Sequence, residues 1–360
     1  MSTHSVNIIE ISEVKPHTNA DRLEIIPIGG WQVVVRKGEF KVGDKAVYIE
    51  PDYTVPLNRD EFSFLDDGKG KERHRLRAVR LRGELSYGLL IPVPKNLAHL
   101  PVGANVMSEL GIERWEPKPK GGQSSHPGNK IKVNGPHIRF SPKFDLENYQ
   151  RYPNLFKEGE PIWALEKIDG ANARYCWNNG KMHIGSRNHW LKHDMSWWEK
   201  FRDWLKYLFK KKKNYQHPQT IWKQALEKYP QITEWCKAHP NHVLFGEVYG
   251  DVQDLKYGMQ DGEVAFAAFA AINGDTGQWV DFGFLKSTLD MYNVPVVPVV
   301  YCGPFNSEVF VLAEQDSFIG PSGHIMEGIV LLPEKERFDP NFGRVTLKYI
   351  SKRFWEHDNG

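Results

Sequence analysis

Four apolar segments between residues 161 and 350 each carry a charged residue, and this pattern restricts the possible folds more than any other feature. The four charged residues are Lys167, Glu247, Glu327 and Lys348. A charge in an apolar strand is costly unless an opposite charge, a metal ion or a phosphate group compensates it. Each residue alone is typical of an exposed or salt-bridged strand position. Together they predict a fold that brings these charges to one another or to a charged ligand.

Lys167 begins the tetrapeptide Lys-Ile-Asp-Gly, where the apolar run 161–165 ends in a glycine-containing turn. A lysine ammonium is a poor nucleophile, because its ordinary pKa is about 10.4. At a partly buried strand end, beside a divalent cation, the neutral amine becomes accessible and can attack an electrophile. The tetrapeptide alone is more typical of a surface turn, so the other charged residues must support a catalytic role.

The chain has 360 residues, of which 26% are charged and 40% are hydrophobic, and this is enough for two domains with separate cores. No apolar run approaches the ~20 residues that span a bilayer, and no signal-peptide pattern is present. The three cysteines lack metal-ligand spacing. We therefore expect an intracellular protein, cytoplasmic or in the nucleoid or nucleus, without a membrane partner. The net charge of +2 does not by itself indicate nucleic-acid binding.

Residues 1–115 contain short strands separated by turns, a pattern that predicts a small barrel. The segments 17–23, 40–48 and 82–90 resemble an OB-fold of the tRNA-binding type. They are equally compatible with turn and core residues of any small barrel. An alternating basic strand is a candidate contact for RNA phosphates. Its members are Arg73, Arg75, Arg77, Arg80 and Arg82.

Two segments interrupt this organisation. Residues 116–143 are rich in proline, glycine, lysine and serine, which predicts a linker before a second domain at 144–360. Residues 197–213 place aromatic and apolar side chains on one helical face and end in four lysines. This helix could pack on the domain with a solvated lysine end, face RNA, or lie on a membrane surface.

In their order along the chain, the charged segments resemble the motifs of the covalent nucleotidyltransferase superfamily, which contains ATP-dependent ligases and mRNA-capping enzymes. Asn172 and the Lys167-to-Arg187 spacing resemble the RNA-ligase branch. The N-terminal OB-like domain and the segment 147–153 make the chain similar to the Deinococcus-type, or fifth, RNA-ligase family. This resemblance implies an α+β protein. An N-terminal OB-fold β-barrel precedes an ATP-grasp-like nucleotidyltransferase domain of antiparallel sheets and helices.

The resemblance also implies a role for each matching residue. Lys167 attacks the α-phosphate of ATP and carries AMP covalently, and Asp169 and Lys348 complete the catalytic set. The implied ATP-binding residues are Glu166, Asn172, Arg187, Glu247, Phe269, Glu327 and Lys348. The implied ligands of Mg²⁺ or Mn²⁺ are Asp169, Glu247 and Glu327. Within the ATP set, Phe269 stacks on adenine and Arg187 contacts ribose and phosphate.

Two positions depart from the family pattern. Many relatives carry two lysines separated by one residue in the fifth motif, whereas this chain has Thr346 in the first place. Lys352 or Arg344 could replace the missing lysine. Ala270 follows Phe269 where aspartate is common, which leaves Phe266 as an alternative stacking residue.

The implied reaction joins the 3′-hydroxyl and 5′-phosphate ends of RNA at a nick, on an RNA or DNA template, through an AMP-capped 5′ end. We expect a monomer in which the N-terminal domain holds the duplex around the nick. The alternatives are a capping-type guanylyltransferase, a DNA ligase and a non-catalytic RNA-binding protein. The first two usually carry their OB domain after the catalytic one, which favours RNA ligase.

Overall fold

The computed structural model describes residues 5–115, 135–191 and 220–357. These residues divide into two compact units. The first contains 5–115, 147–157 and 347–357, and the second contains 135–146, 158–191 and 220–346. The first unit thus includes two segments that the sequence placed in the second domain, and the domain limits stay a prediction. Most of the predicted linker, at 116–134, and the predicted helix 197–213 lie outside the described residues.

The described strands and helices are named in chain order. The first twelve strands are β1 (Asn7–Glu10), β2 (Lys15–Pro16), β3 (Leu23–Ile28), β4 (Trp31–Arg36), β5 (Lys45–Ile49), β6 (Tyr53–Pro56), β7 (Arg73–Arg75), β8 (Ala78–Leu81), β9 (Glu84–Tyr87), β10 (Leu89–Pro92), β11 (Glu113–Arg114) and β12 (Glu147–Asn148). The others are β13 (Pro161–Lys167), β14 (Ala171–Asn178), β15 (Lys181–Ser186), β16 (Trp190–Leu191), β17 (His242–Gly250), β18 (Val264–Asn273), β19 (Val299–Pro304), β20 (Gly328–Pro333), β21 (Phe338–Asp339), β22 (Gly343–Arg344) and β23 (Leu347–Ile350). The α-helices are α1 (Ile221–Lys228), α2 (Gln231–Ala238), α3 (Phe282–Met291) and α4 (Lys352–His357). No described helix is long and apolar enough to cross a membrane. Helices mixed with antiparallel sheets confirm the predicted α+β class.

The first unit consists mainly of small antiparallel sheets. Strand β5 lies between β1 and β10, β3 lies between β2 and β4, and β6 lies between β7 and β11. Apolar residues of β1, β5 and β6 are buried in one cluster, which includes Ile8, Val47 and Val55. A second cluster, around Ile26 and Trp31, fills the space beside β3 and β4. Short strands that alternate inward and outward side chains account for these two cores.

The basic residues of the first unit do not form the single alternating strand that the sequence predicted. Strands β7 and β8 belong to different sheets, so the run is interrupted after Arg75. Arg75 forms an ion pair with Asp52 at 2.6 Å, and its guanidinium lies 3.3 Å from the ring of Trp115. Arg82 occupies a turn with φ of 51°. The prediction of one continuous stripe was wrong, because hydrogen bonding to neighbouring strands splits it. RNA contacts by Arg75, Arg77, Arg80 and Arg82 stay a prediction.

The second unit contains two antiparallel sheets. In one, β13 lies between β19 and β20, and in the other the strand order is β16-β15-β14-β17-β18. Helices α1, α2 and α3 cover one face of the five-stranded sheet, where Tyr175 and Phe266 are fully buried. The segment 135–146 covers part of the opposite face through Ile138, Phe140 and Phe144. The continuous apolar sequence of β18 follows from burial of both faces.

Residues 167–170 connect the two sheets of the second unit. Lys167 is the last residue of β13, and Ala171 is the first residue of β14. Gly170 allows this close crossing, because a Cβ atom there would lie 2.5 Å from the carbonyl oxygen of Val248. The connection therefore places Lys167 and Asp169 where both sheets can contribute side chains.

Candidate active site

Lys167 forms an ion pair with Glu327 at the end of β13. The antiparallel register sets Lys167 opposite Gly328, so Glu327 directly precedes the strand beside the lysine. The Nζ of Lys167 lies 2.6 Å from Oε1 of Glu327, and the two side chains are only 21% and 10% exposed. The second oxygen of Glu327 has no hydrogen-bond partner among the described residues. The pair is therefore strong, and one buried carboxylate oxygen is available to a ligand.

Acidic side chains outnumber basic ones around Lys167. Burial alone would lower the pKa of Lys167, but Glu327, Glu247 and Asp169 raise it overall. Burial, followed by the charge of Glu327, raises the pKa of Asp169 to about 7. Loss of solvation raises the pKa of Glu247 to about 8, although Lys167 opposes this shift. Three carboxylates around one lysine leave the cluster short of positive charge, which a cation would supply.

Two hydrogen bonds from the loop after β17 hold Asp169 in place. The backbone N–H of Leu255 donates to Oδ2 of Asp169 at 3.1 Å. The backbone N–H of Asp169 donates to the hydroxyl of Tyr257 at 2.6 Å. The sequence pattern predicts neither Leu255 nor Tyr257, because neither residue is charged or part of a recognised motif. The only signal was their position shortly after the strand that carries Glu247.

Asn172 and Glu247 face each other across β14 and β17. The side-chain oxygen of Asn172 is buried and has no hydrogen-bond partner in the described parts of the chain. Arg187 follows β15 and forms an ion pair with Asp145. Its positive charge also opposes the rise in the pKa of Glu247 that burial causes. The strand register thus gathers three of the residues predicted to bind ATP in one region.

The two phenylalanines considered for adenine stacking lie on opposite faces of the five-stranded sheet. Phe266 is fully buried beneath the helices, with its ring 5.4 Å from that of Tyr175. Phe269 packs with the cluster on the other face, where its ring lies 4.7 Å from Phe144, and it is partly exposed. It has no partner on β17, because the register shifts there in a β-bulge. A bulge can redirect a side chain, and here it makes Phe269 the accessible aromatic.

Glu166 supports a neighbouring loop. Its carboxylate is 2% exposed and accepts hydrogen bonds from the Ser317 hydroxyl and the Phe318 backbone N–H. Burial raises the pKa of Glu166 despite both bonds. The hydroxyl of Ser317 also accepts from the backbone N–H groups of Ile319 and Gly320. The structure thus gives Glu166 a role in fixing the loop, whereas its contact with ATP stays a prediction.

The residues of the fifth motif are distributed over both units. Lys348 lies on β23 of the first unit, in register with Asn148, and Lys352 begins α4 of the same unit. Arg344 forms a two-pronged ion pair with Glu336, at 2.8 and 2.5 Å, and lies 3.8 Å from the Trp279 ring. Arg344 is therefore anchored within its own unit. The role of Lys348 and the replacement by Lys352 or Arg344 stay predictions.

The Thr346 hydroxyl is buried at the end of the second unit and lacks a hydrogen-bond partner among the described residues.

The predicted metal ligands do not form a complete metal site by themselves. Among the described residues, no group of three or more His, Cys, Asp or Glu side chains is arranged to hold a metal ion. The predicted set of Asp169, Glu247 and Glu327 would therefore need further ligands from substrate or water.

Comparison with known proteins identifies two regions of the chain. Residues 160–350 match the RNA ligase family, and residues 5–93 match an OB-fold domain, which confirms the predicted N-terminal fold. No curated protein matches the chain. Solved structures show the same fold. The Naegleria gruberi RNA ligase with PPi is 23% identical, with 99% of each chain covered and a TM-score of 0.79.

Two further structures of Naegleria gruberi RNA ligase are similar to the chain. A lysine-to-alanine mutant with ATP and Mn is 23% identical, with a TM-score of 0.75 over 98% of this chain and 99% of that one. Another lysine-to-alanine mutant without ligand is 24% identical, with a TM-score of 0.77 over 98% of each chain.

Proposed function

Because the chain belongs to the RNA ligase family, we propose that it is an ATP-dependent ligase in which Lys167 carries AMP. The observation that carries this proposal is the buried Lys167–Glu327 pair, with Asp169 and Glu247 beside it. A lysine in such a site has nearby proton acceptors and is sheltered from bulk water. The N. gruberi ligase structures with ATP and Mn support the choice of nucleotide.

In the first step, the neutral amine of Lys167 forms a bond to the α-phosphorus of ATP, and the bond from phosphorus to the pyrophosphate oxygen breaks. The ammonium form of Lys167 must first lose a proton to give this amine, and the nearest acceptor is Oε1 of Glu327. Asp169, with a pKa of about 7, and Glu247, with a pKa of about 8, can also hold a proton near neutral pH. An oxygen of the RNA 5′-phosphate then attacks the same phosphorus, and the phosphorus–nitrogen bond to Lys167 breaks, which leaves AMP on the 5′ end. Finally, the 3′-hydroxyl loses its proton and attacks the 5′-phosphate, the phosphodiester forms, and AMP leaves.

We propose that a divalent cation binds beside these carboxylates only together with substrate, because the described side chains alone do not form a complete metal site. Asp169, Glu247 and Glu327 would hold it, and phosphate and water oxygens would complete the shell, as Mg²⁺ and Mn²⁺ commonly require. When bound, such a cation neutralises phosphate charge and favours the neutral form of Lys167. The negative excess of the cluster and the unbonded oxygen of Glu327 support this assignment.

We propose that the other contacts with ATP come from residues on the sheet face that carries Asn172. Phe269 offers a partly exposed ring to adenine, and Arg187 offers a guanidinium to ribose and phosphate. Asn172 supplies a buried oxygen without a partner in the described residues. Glu166 holds a loop of the same unit through Ser317 and Phe318. Neutralisation of the α-phosphate by Lys348 stays a prediction.

The N-terminal position of the OB-fold supports the Deinococcus-type branch of RNA ligases. We further propose that the substrate is a nicked duplex with 3′-hydroxyl and 5′-phosphate ends, on an RNA or DNA template. The protein acts as a monomer inside the cell, and its N-terminal unit holds the duplex. Removal of residues 1–115 should weaken sealing more than lysine labelling.

The test is transfer of label from α-labelled ATP to the protein, with the adduct located by mass spectrometry. The wild type should gain one AMP on Lys167, and Lys167→Ala should gain none. Lys228→Ala is a matched control, because its partner Glu263 is exposed, and it should label normally. Labelling of Lys167→Ala at the wild-type rate would refute the assignment. Labelling from GTP alone would indicate a guanylyltransferase, sealing of DNA nicks alone would indicate a DNA ligase, and RNA binding without label would indicate a non-catalytic protein.

A further inference from the structure

The loop after β17 has an uncommon backbone beside the candidate active site. Lys256 and Tyr257 both have φ of 51°, and Gly258 follows with φ of 77°. A lysine or tyrosine rarely adopts this region, because its Cβ atom approaches the following carbonyl oxygen. Such a conformation persists only where surrounding contacts impose it, and it is concentrated at functional sites. The contacts of Tyr257 therefore indicate the role of this backbone conformation.

Tyr257 lies between two segments of the site. Its side chain is 4% exposed, and its ring lies 5.3 Å from Tyr249 and 5.2 Å from His324. His324 belongs to the turn that leads to Glu327. The hydroxyl of Tyr257 accepts the hydrogen bond from the backbone N–H of Asp169. One side chain thus contacts both the turn that follows Lys167 and the turn that leads to its carboxylate partner.

A second hydrogen bond from the same loop also holds Asp169. The backbone N–H of Leu255 adds a second restraint, because it binds the carboxylate of the same aspartate. The loop therefore fixes Asp169 at its main chain and at its side chain. A residue fixed in this way keeps its carboxylate at one distance from Lys167.

We propose that Tyr257 is a positioning residue for transfer of AMP to Lys167, acting through the hydrogen bond to Asp169 and the ring contact with His324. This inference rests on the proposed ligase function. A small displacement of reacting groups can cost a large factor in rate while substrate binding is hardly changed. Loss of the phenolic oxygen should therefore slow the chemical step more than it weakens ATP binding.

The test compares Tyr257→Phe with Tyr249→Phe. Both changes keep the ring and remove one hydroxyl, but that of Tyr249 has no hydrogen bond within the described residues, so it serves as the control. Single-turnover labelling with α-labelled ATP should be slower by about tenfold in Tyr257→Phe, with a half-saturating ATP concentration within about twofold of the wild type. Tyr249→Phe should label within about twofold of the wild-type rate.

Hydrogen exchange gives a second readout that does not depend on catalysis. The backbone N–H of Asp169 should exchange about tenfold faster in Tyr257→Phe than in the wild type, whereas Tyr249→Phe should leave it unchanged. Unchanged exchange or unchanged labelling in Tyr257→Phe would overturn the inference, as would equal losses in both variants. If the wild type takes no label, the ligase proposal itself fails. A labelled wild type with an equally labelled Tyr257→Phe variant rejects only the role of Tyr257.

Discussion

Replacement of Glu327 by glutamine tests the electrostatic account of the lysine directly. The change keeps the shape of the side chain and removes one negative charge 2.6 Å from Nζ of Lys167. Glu247 and Asp169 remain as partners, so the lysine does not become an isolated buried charge. Because Glu327 is the largest contributor that raises the pKa of Lys167, we expect this pKa to fall.

The size of the effect follows from the separation and the burial. Two unit charges at 2.6 Å attract by about 6 kcal/mol with an effective dielectric constant of about 20. The carboxylate charge is shared by two oxygens, so about half of this attraction, about 3 kcal/mol, is a working value. That energy corresponds to about a hundredfold larger fraction of Lys167 in the neutral, reactive form at neutral pH. Both side chains are more than three-quarters buried, so solvent screening reduces the effect little.

The assay is competitive modification of lysines by an amine-reactive reagent, without nucleotide and with a chelator present. Mass spectrometry of the Lys167 peptide at several pH values gives the titration midpoint. Glu263→Gln is the matched control, because Glu263 pairs with Lys228 at 3.1 Å but both groups are 42% or more exposed. Exposed pairs contribute about 0–1 kcal/mol, so the reactivity of Lys228 should change by less than about fivefold.

The reasoning is refuted if the midpoint of Lys167 is the same in Glu327→Gln and in the wild type. It is also refuted if Lys228 in Glu263→Gln responds as strongly as Lys167, because burial would then not decide the strength of the pair. A lower midpoint confined to Lys167 would show that Glu327 holds the lysine in its protonated, unreactive form before substrate binds.

Further outcomes follow from the site. Phe269→Ala should raise the half-saturating ATP concentration and should cost less stability than Phe266→Ala, which should destabilise the protein by about 3–5 kcal/mol in thermal unfolding. Asp145→Asn should bind ATP several-fold more tightly in calorimetry, because it removes a carboxylate that competes with phosphate for Arg187. The folded pKa values of Asp169 and Glu247 lie above their ordinary ones, so the ion-free protein should lose stability as pH rises toward 7 to 8. Mn²⁺ affinity should rise over the same range with proton release, and a pH-independent affinity would contradict the site.

The sequence predicted the parts of the site that depend on charge in apolar strands. Lys167, Asp169, Glu247 and Glu327 influence one another electrostatically, because a buried charge needs compensation wherever the chain places it. The choice of Phe269 over Phe266 depended on a β-bulge, and a register shift of one residue leaves no signature in an all-apolar strand.

Other features depended on long-range contacts. The prediction that the arginines form a single stripe was wrong, because sequence periodicity cannot show which strands pair with one another. Glu166 shared a motif with Lys167, yet its carboxylate binds Ser317, which lies far along the chain. Tyr257 reaches Asp169 only through a loop with positive φ values, which its composition does not predict. Local sequence thus identified the chemistry, whereas pairing, bulges and loops decided which side chains perform or support it.

Residues 167–170 also connect the two sheets of the second unit through a short segment of backbone. Lys167 ends a strand of one sheet of the second unit and Glu327 precedes the neighbouring strand. Asn172 and Glu247 lie on strands of the other sheet, and Arg187 follows one of its strands. A nucleotide that binds residues of both sheets would restrict the movement of one sheet relative to the other about this connection. Binding would then stiffen the unit as a whole, and occupancy of the site could be followed by resistance to proteolysis at positions far from any phosphate.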